Sequence, residues 1–92
     1  VTPETRTDLG AQTRQTLASV RGALKEAGLD WSDVIEAVVY ASDMARLDAM
    51  EAAWREVFAA SPPARILAGA RLVNPDGLVE IMVTAADRVG RR

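Results

Sequence analysis

The chain has 92 residues, 49% of them apolar and 26% charged, and 11 basic against 13 acidic side chains give it a formal net charge of −2. That length holds one domain burying about 60–65% of its unfolded surface, and the composition is that of a folded globular protein rather than a disordered one. Cysteine and histidine are both missing, which excludes disulfides, the usual zinc ligand sets, thiol nucleophiles and the Ser-His-Asp arrangement.

Positive and negative residues interleave, so no basic stripe is available to follow a phosphate backbone, and no nucleic-acid partner is expected. The cationic cluster Arg88, Arg91 and Arg92 reads as a solvated basic tail over residues 87–92. No stretch approaches the roughly 20 apolar residues that span a bilayer. With neither a signal-like apolar run nor a thiol pattern, a cytoplasmic setting without a membrane partner is expected.

Residues 1–9 carry Pro3 and no periodicity, and read as a loop. From Gly10 the residues Leu17, Val20, Leu24 and Ala27 recur at helical spacing and Gly28 supplies a left-handed stop, which predicts a helix over about 10–27. Residues 34–41 (VIEAVVYA) are rich in β-branched side chains and predict a strand, apolar on both faces and therefore central. Ser42 or Asp43 caps a second helix with the stripe Leu47, Met50, Trp54, Val57 and Phe58, predicted over about 43–60 and stopped by Pro62-Pro63. Strands are predicted from Arg65 to Val73 and from Leu78 to Ala86, and the turn formers Asn74-Pro75-Asp76-Gly77 between them predict a hairpin.

The order is helix, strand, helix, strand, strand, a single α+β domain over 1–92. Two helices on one face of a three-stranded sheet leave the other face bare, so something else should cover it. Glu36 would be costly to bury alone on a central strand, and is expected to meet an arginine such as Arg71 or to reach water. Trp31, Met50, Trp54 and Phe58 read as core or interface anchors.

Three stretches in sequence order resemble the RidA (YjgF) family of enamine/imine deaminases: Asp8–Gly28 (DLGAQTRQTLASVRGALKEAG), Asp33–Met44 (DVIEAVVYASDM), and PPAR at 62–65 with Val79-Glu80-Ile81. The resemblance runs from about Val1 to Ala86. It implies a mixed sheet with two helices packed on one face, a chorismate-mutase-like homotrimer with clefts between protomers, and hydrolysis of 2-imino or enamine acids to 2-oxo acids and ammonia. By the same resemblance Arg65 pairs with the substrate carboxylate, Glu80 helps to place the attacking water, Ile66 and Leu67 lie near the substrate, and neither a metal nor an organic cofactor is used. Where the family has a small hydroxyl residue or Cys this chain has Ile66 and Leu67, where it has Asn this chain has Glu51, and where it has Tyr this chain has Trp54. Typical members carry a strand hairpin ahead of the first matched stretch, and the chain is expected to lack it or to receive it as a separate N-terminal fragment.

The chemistry suits these residue types. An imine carbon is already electrophilic, so the catalyst has to orient substrate, hold water and manage protons. An arginine fork meets a carboxylate bidentately and stays charged, and a glutamate on a strand can accept a proton. The expected partner is a small carboxylate-bearing ligand. A non-catalytic ligand-binding or regulatory trimer is the competing reading, favoured by Ile66 and Leu67. A ribonuclease is poorly served by an acidic chain without histidine.

Overall fold

The computed structural model describes residues 8–60, 62–73 and 76–86. The expectations for the amino-terminal loop before Asp8, for Asn74-Pro75 and for the basic tail at 87–92 lie outside the described residues.

Helix α1 spans Leu9–Glu26. Asp8 caps it by accepting from the Ala11 amide at 2.9 Å. At the other end Gly28 has φ of 75°, and the Leu29 amide donates back to the Leu24 carbonyl at 2.8 Å, the left-handed stop that a glycine makes without strain. A 3₁₀ turn at Trp31–Asp33 leads into strand β1, Val34–Ala41. The buried Asp33 completes a reciprocal cap with Asp30, its carboxylate accepting from the Asp30 amide at 2.9 Å. A second 3₁₀ turn at Met44–Arg46 precedes helix α2, Leu47–Phe58. Strands β2, Ala64–Gly69, and β3, Val79–Ala85, complete the domain.

The strand order is β2-β1-β3, with β2 parallel and β3 antiparallel to the central β1. The expected hairpin is therefore wrong, because β2 and β3 lie on opposite edges. The chain direction does reverse between β2 and β3, but β3 pairs with β1 at the far edge of the sheet rather than with β2. Central position gives β1 a partner on each side, and α2 supplies the crossover that a parallel pair requires. Both edge strands are shorter than expected, since the chain leaves β2 after Gly69 to reach that far edge.

Both helices lie on one face of the sheet. Ala37, Val39 and Ala41 from β1, Val79 and Ile81 from β3, Leu9, Leu17 and Leu24 from α1, and Met50, Trp54 and Phe58 from α2 form one core. At its centre Trp54 and Phe58 are tilted with centroids 4.5 Å apart, and Trp31 meets Phe58 edge-on at 5.0 Å. The four anchors expected to pack do so. Ile35, which simple alternation puts on the core face, is 58% exposed, because an irregularity between Val34 and Glu36 shifts the register there.

The register fixes what the other face carries. Glu36 aligns with Ala64 and Thr84, Val38 with Ile66 and Met82, and Tyr40 with Ala68 and Glu80. Ile66 is 62% and Met82 50% exposed, so this uncovered face is substantially apolar. Glu36 reaches solvent and accepts a long hydrogen bond from the Thr84 hydroxyl at 3.4 Å. The strand neighbour takes the part expected of Arg71.

Candidate functional site

Because side chains alternate along a strand, the sheet separates the four residues drawn from the sequence. Arg65 aligns with Ala37 and Leu67 with Val39, on the helix face, whereas Ile66 aligns with Val38 and Glu80 with Tyr40, on the open face.

Arg65 is half-buried and fully engaged. Its Nη1 donates to Glu51 Oε1 at 2.6 Å and its Nη2 to Oε2 at 3.0 Å, a fork-on-carboxylate pair. Its guanidinium carbon stands 5.0 Å from the centre of the Trp54 ring. The hydrogen bond from Arg65 holds the Glu51 carboxyl below its ordinary value against partial burial, which acts the other way. The two departures Glu51 and Trp54 are thus the two partners of Arg65. Leu67 packs against the core, and Ile66 faces outward.

Glu80 is exposed at the rim of the open face, where two shallow grooves adjoin. One, of about 220 Å³, is lined by Tyr40, Arg71, Leu72 and Glu80 among others. The second, of about 360 Å³, is lined by Thr16, Leu72, Val73 and Glu80 among others. Register places Tyr40 directly across from Glu80, so the two side chains leave one face as a cross-strand pair. Arg71 comes from the turn after β2. There the Ala70 amide donates to the Ala41 carbonyl at 3.0 Å, prolonging the ladder and setting the turn against the end of β1.

Gln12 secures the chain entering β3. It is 2% exposed, its Nε2 donates to the Asp76 carbonyl at 2.9 Å, and its Oε1 accepts from the Leu78 amide at 2.7 Å. One α1 side chain thereby satisfies two backbone groups just before Glu80. Sequence reasoning missed Gln12, as it missed Tyr40 and Arg71 as neighbours of Glu80. A glutamine in a helix carries no sign of a distant backbone partner, and the other two become neighbours of Glu80 only once β3 is paired with β1. Among the described residues, no cluster of three or more carboxylates is arranged to hold a metal, and no helix is long and apolar enough to cross a membrane.

The profile of the Endoribonuclease L-PSP family matches residues 2–87. The chain belongs to this family. L-PSP relatives include a RutC family protein of Haemophilus ducreyi, 39% identical over 80 residues that make up 86% of this chain and 68% of the relative. A RutC family protein of Sulfurisphaera tokodaii is 36% identical over 76 residues, 83% of this chain and 61% of the relative. A solved member of the YjgF/YER057c/UK114 family from Mycobacterium tuberculosis superposes with a TM-score of 0.82 at 30% identity, over 85% of this chain and 67% of that one. The chain therefore spans about three fifths of the length of the Sulfurisphaera protein. These likenesses bear out the L-PSP/YjgF resemblance and the α+β fold with two helices on one face of a mixed sheet.

Proposed function

We propose that the chain hydrolyses small 2-imino or enamine acids to 2-oxo acids and ammonia. The observation that carries this reading is Glu80, an exposed carboxylate at the rim of a groove sized for a molecule of a few heavy atoms, with Tyr40 across from it. Glu80 accepts a proton from water as the oxygen adds to the imine carbon and the C=N electron pair moves to nitrogen. The proton passes to the nitrogen of the tetrahedral adduct; Glu80 then takes the remaining hydroxyl proton and delivers it to that nitrogen as the C–N bond breaks, releasing ammonia and leaving the carbonyl. Balance needs only water, and the residues present suffice without a nucleophile that the composition lacks.

The resemblance gives the substrate carboxylate to Arg65. With Arg65 on the other face, a cleft using both residues has to be built from two copies of the chain, one giving Glu80 and its neighbour giving Arg65 released from Glu51. Membership of a family whose profile is described as an endoribonuclease supplies the competing activity. Among the described residues, neither groove beside Glu80 is lined by more than one arginine, poor provision for a polyanion.

The test is release of ammonia and 2-oxo acid from 2-imino acids generated in situ by an amino acid oxidase, run beside an RNA cleavage assay. Accelerated imine hydrolysis without RNA cleavage supports the reading. Failure to accelerate any small imine, or RNA cleavage at a comparable rate, overturns it.

A further inference from the structure

Arg65 holds a carboxylate, and that carboxylate is the chain's own. Glu51 lies on α2 one turn before Trp54, and the two side chains reach the start of β2 together. Glu51 Oε1 stands 2.6 Å from Arg65 Nη1 and Oε2 3.0 Å from Nη2, while the Trp54 ring centre is 5.0 Å from the guanidinium carbon. A free 2-oxo or 2-imino acid would seat its carboxylate on an arginine fork in the same way. The pair is not sealed from water: the side chains of Arg65 and Glu51 keep 23% and 33% of their surface exposed, so an incoming carboxylate can reach the fork. Arg55, four residues on from Glu51, also favours the Glu51 charge, which leaves Glu51 a second cation when Arg65 is taken.

We infer that Glu51 is an internal rival for the ligand carboxylate, a specificity-determining residue that occupies Arg65 until a carboxylate-bearing ligand displaces it. The inference rests on the hydrolase reading, which gives the ligand carboxylate to Arg65. A tethered side chain competes at an effective concentration on the order of millimolar. Affinity for a ligand then falls in proportion to the fraction of molecules whose arginine is free. A bidentate carboxylate replaces both of the bonds that Glu51 surrenders and answers the Arg65 charge. A neutral amide offers one acceptor oxygen and no charge, so it has little to gain by displacing Glu51.

The experiment compares the unaltered protein with Glu51→Gln, Glu51→Ala and the double variant Glu51→Gln with Arg65→Ala. Glu56→Gln serves as a control, since it removes a carboxylate from the same helix and releases Arg14 from a similar fork. Each is titrated calorimetrically with pyruvate, the simplest 2-oxo acid product, and with its neutral amide, and each is assayed for imine hydrolysis. Glu51→Gln and Glu51→Ala should bind pyruvate about fivefold or more tighter, the occlusion expected of a partly exposed ion pair. KM should fall to match with kcat little changed, and affinity for the amide should barely move. The melting temperature should fall at the same time, whereas a Glu51 that only braces Arg65 would weaken pyruvate binding when removed. The double variant should lose the gain, and Glu56→Gln should match the parent. Glu51 variants that bind pyruvate no tighter than a parent that hydrolyses imines overturn the inference and leave the hydrolase reading standing. A gain that survives Arg65→Ala, or that Glu56→Gln reproduces, overturns it as well. Tighter pyruvate binding without imine hydrolysis by any of the proteins sustains the rivalry and overturns the hydrolase reading. Neither binding nor hydrolysis in the parent and the Glu51 variants overturns both.

Discussion

Arg65 and Glu80 stand on opposite faces of one sheet, on the two strands that flank β1. Arg65 aligns with Ala37 toward the helices and Glu80 with Tyr40 toward the open face. Two strand spacings separate them laterally, about 9.6 Å, before the offset along the strands is added. No single small molecule touches both within one chain. Among the described residues, the arginine that lines a groove with Glu80 is Arg71.

Arg65 has a structural duty that can be measured by itself. Its bond to Glu51 is part-buried and bidentate, so a double-mutant cycle with Arg65→Ala and Glu51→Ala should return a coupling of about 1 kcal/mol by urea denaturation. The pH dependence has a definite sign. The folded Glu51 carboxyl lies below its ordinary value, chiefly through the Arg65 hydrogen bond, so its contribution is present above the ordinary glutamate range and is lost as pH falls through the lower, folded value. Glu51→Gln should flatten that part of the stability profile, from the ordinary glutamate range downward. Identical profiles in the two proteins would remove the pair from the account.

Gln12 should matter more to stability than a helical glutamine ordinarily does. Gln12→Ala removes the hydrogen bonds that its buried side chain makes to the Leu78 amide and the Asp76 carbonyl. A loss of about 2–3 kcal/mol is expected. Gln12→Glu, isosteric but without the donor, should also destabilise by abandoning the bond to Asp76. Hydrogen exchange should find the Leu78 amide protected in the parent and released in Gln12→Ala. A change under about 0.5 kcal/mol, the range of an ordinary surface substitution, would show that the loop finds other partners.

Much of the fold was legible because each element announces itself locally: Asp8 and Gly28 bracket α1, the β-branched run defines β1 to the residue, and Pro62-Pro63 lies just past α2. Strand order was not legible. Asn74-Pro75-Asp76-Gly77 signals reversal with equal force whether the next strand returns beside its predecessor or passes to the far edge, and long-range pairing leaves no trace in a turn's composition. The site inherited that gap. Arg65 and Glu80 were placed in chain order by motif, but their faces depend on pairing with β1, and Arg71 joined Glu36 on paper because its true neighbours were unknown. Glu51 and Trp54 stood out as departures from the family, and the structure gives them one explanation, since both hold Arg65.

The uncovered face of the sheet predicts association. Ile66 and Met82, 62% and 50% exposed, flank Val38 across the three strands, and an apolar stripe of this kind marks an interface more often than a solvated surface. The chain should sediment as a homotrimer at micromolar concentration. Ile66→Glu and Met82→Glu, which place a carboxylate on that stripe without touching the core, should shift the population toward monomer. A parent that sediments as a stable monomer refutes the expectation, as do charged variants that assemble like the parent.

Glu80→Gln tests the chemistry most directly, since it keeps the size and hydrogen-bonding reach of the side chain while removing its capacity to take a proton. Glu80 is exposed on β3 and its cross-strand partner Tyr40 remains, so the melting temperature should stay close to that of the parent. If Glu80 accepts the water proton, kcat for imine hydrolysis should fall by about 100-fold or more. Pyruvate affinity should change little if Glu80 acts on the water rather than on the carboxylate. Loss of turnover with product binding retained is the signature expected of a lost proton acceptor. A Glu80→Gln protein that binds pyruvate and turns over at the parental rate would show that the water is activated by another group. A protein that loses both together would mean that Glu80 shapes the groove rather than moving the proton.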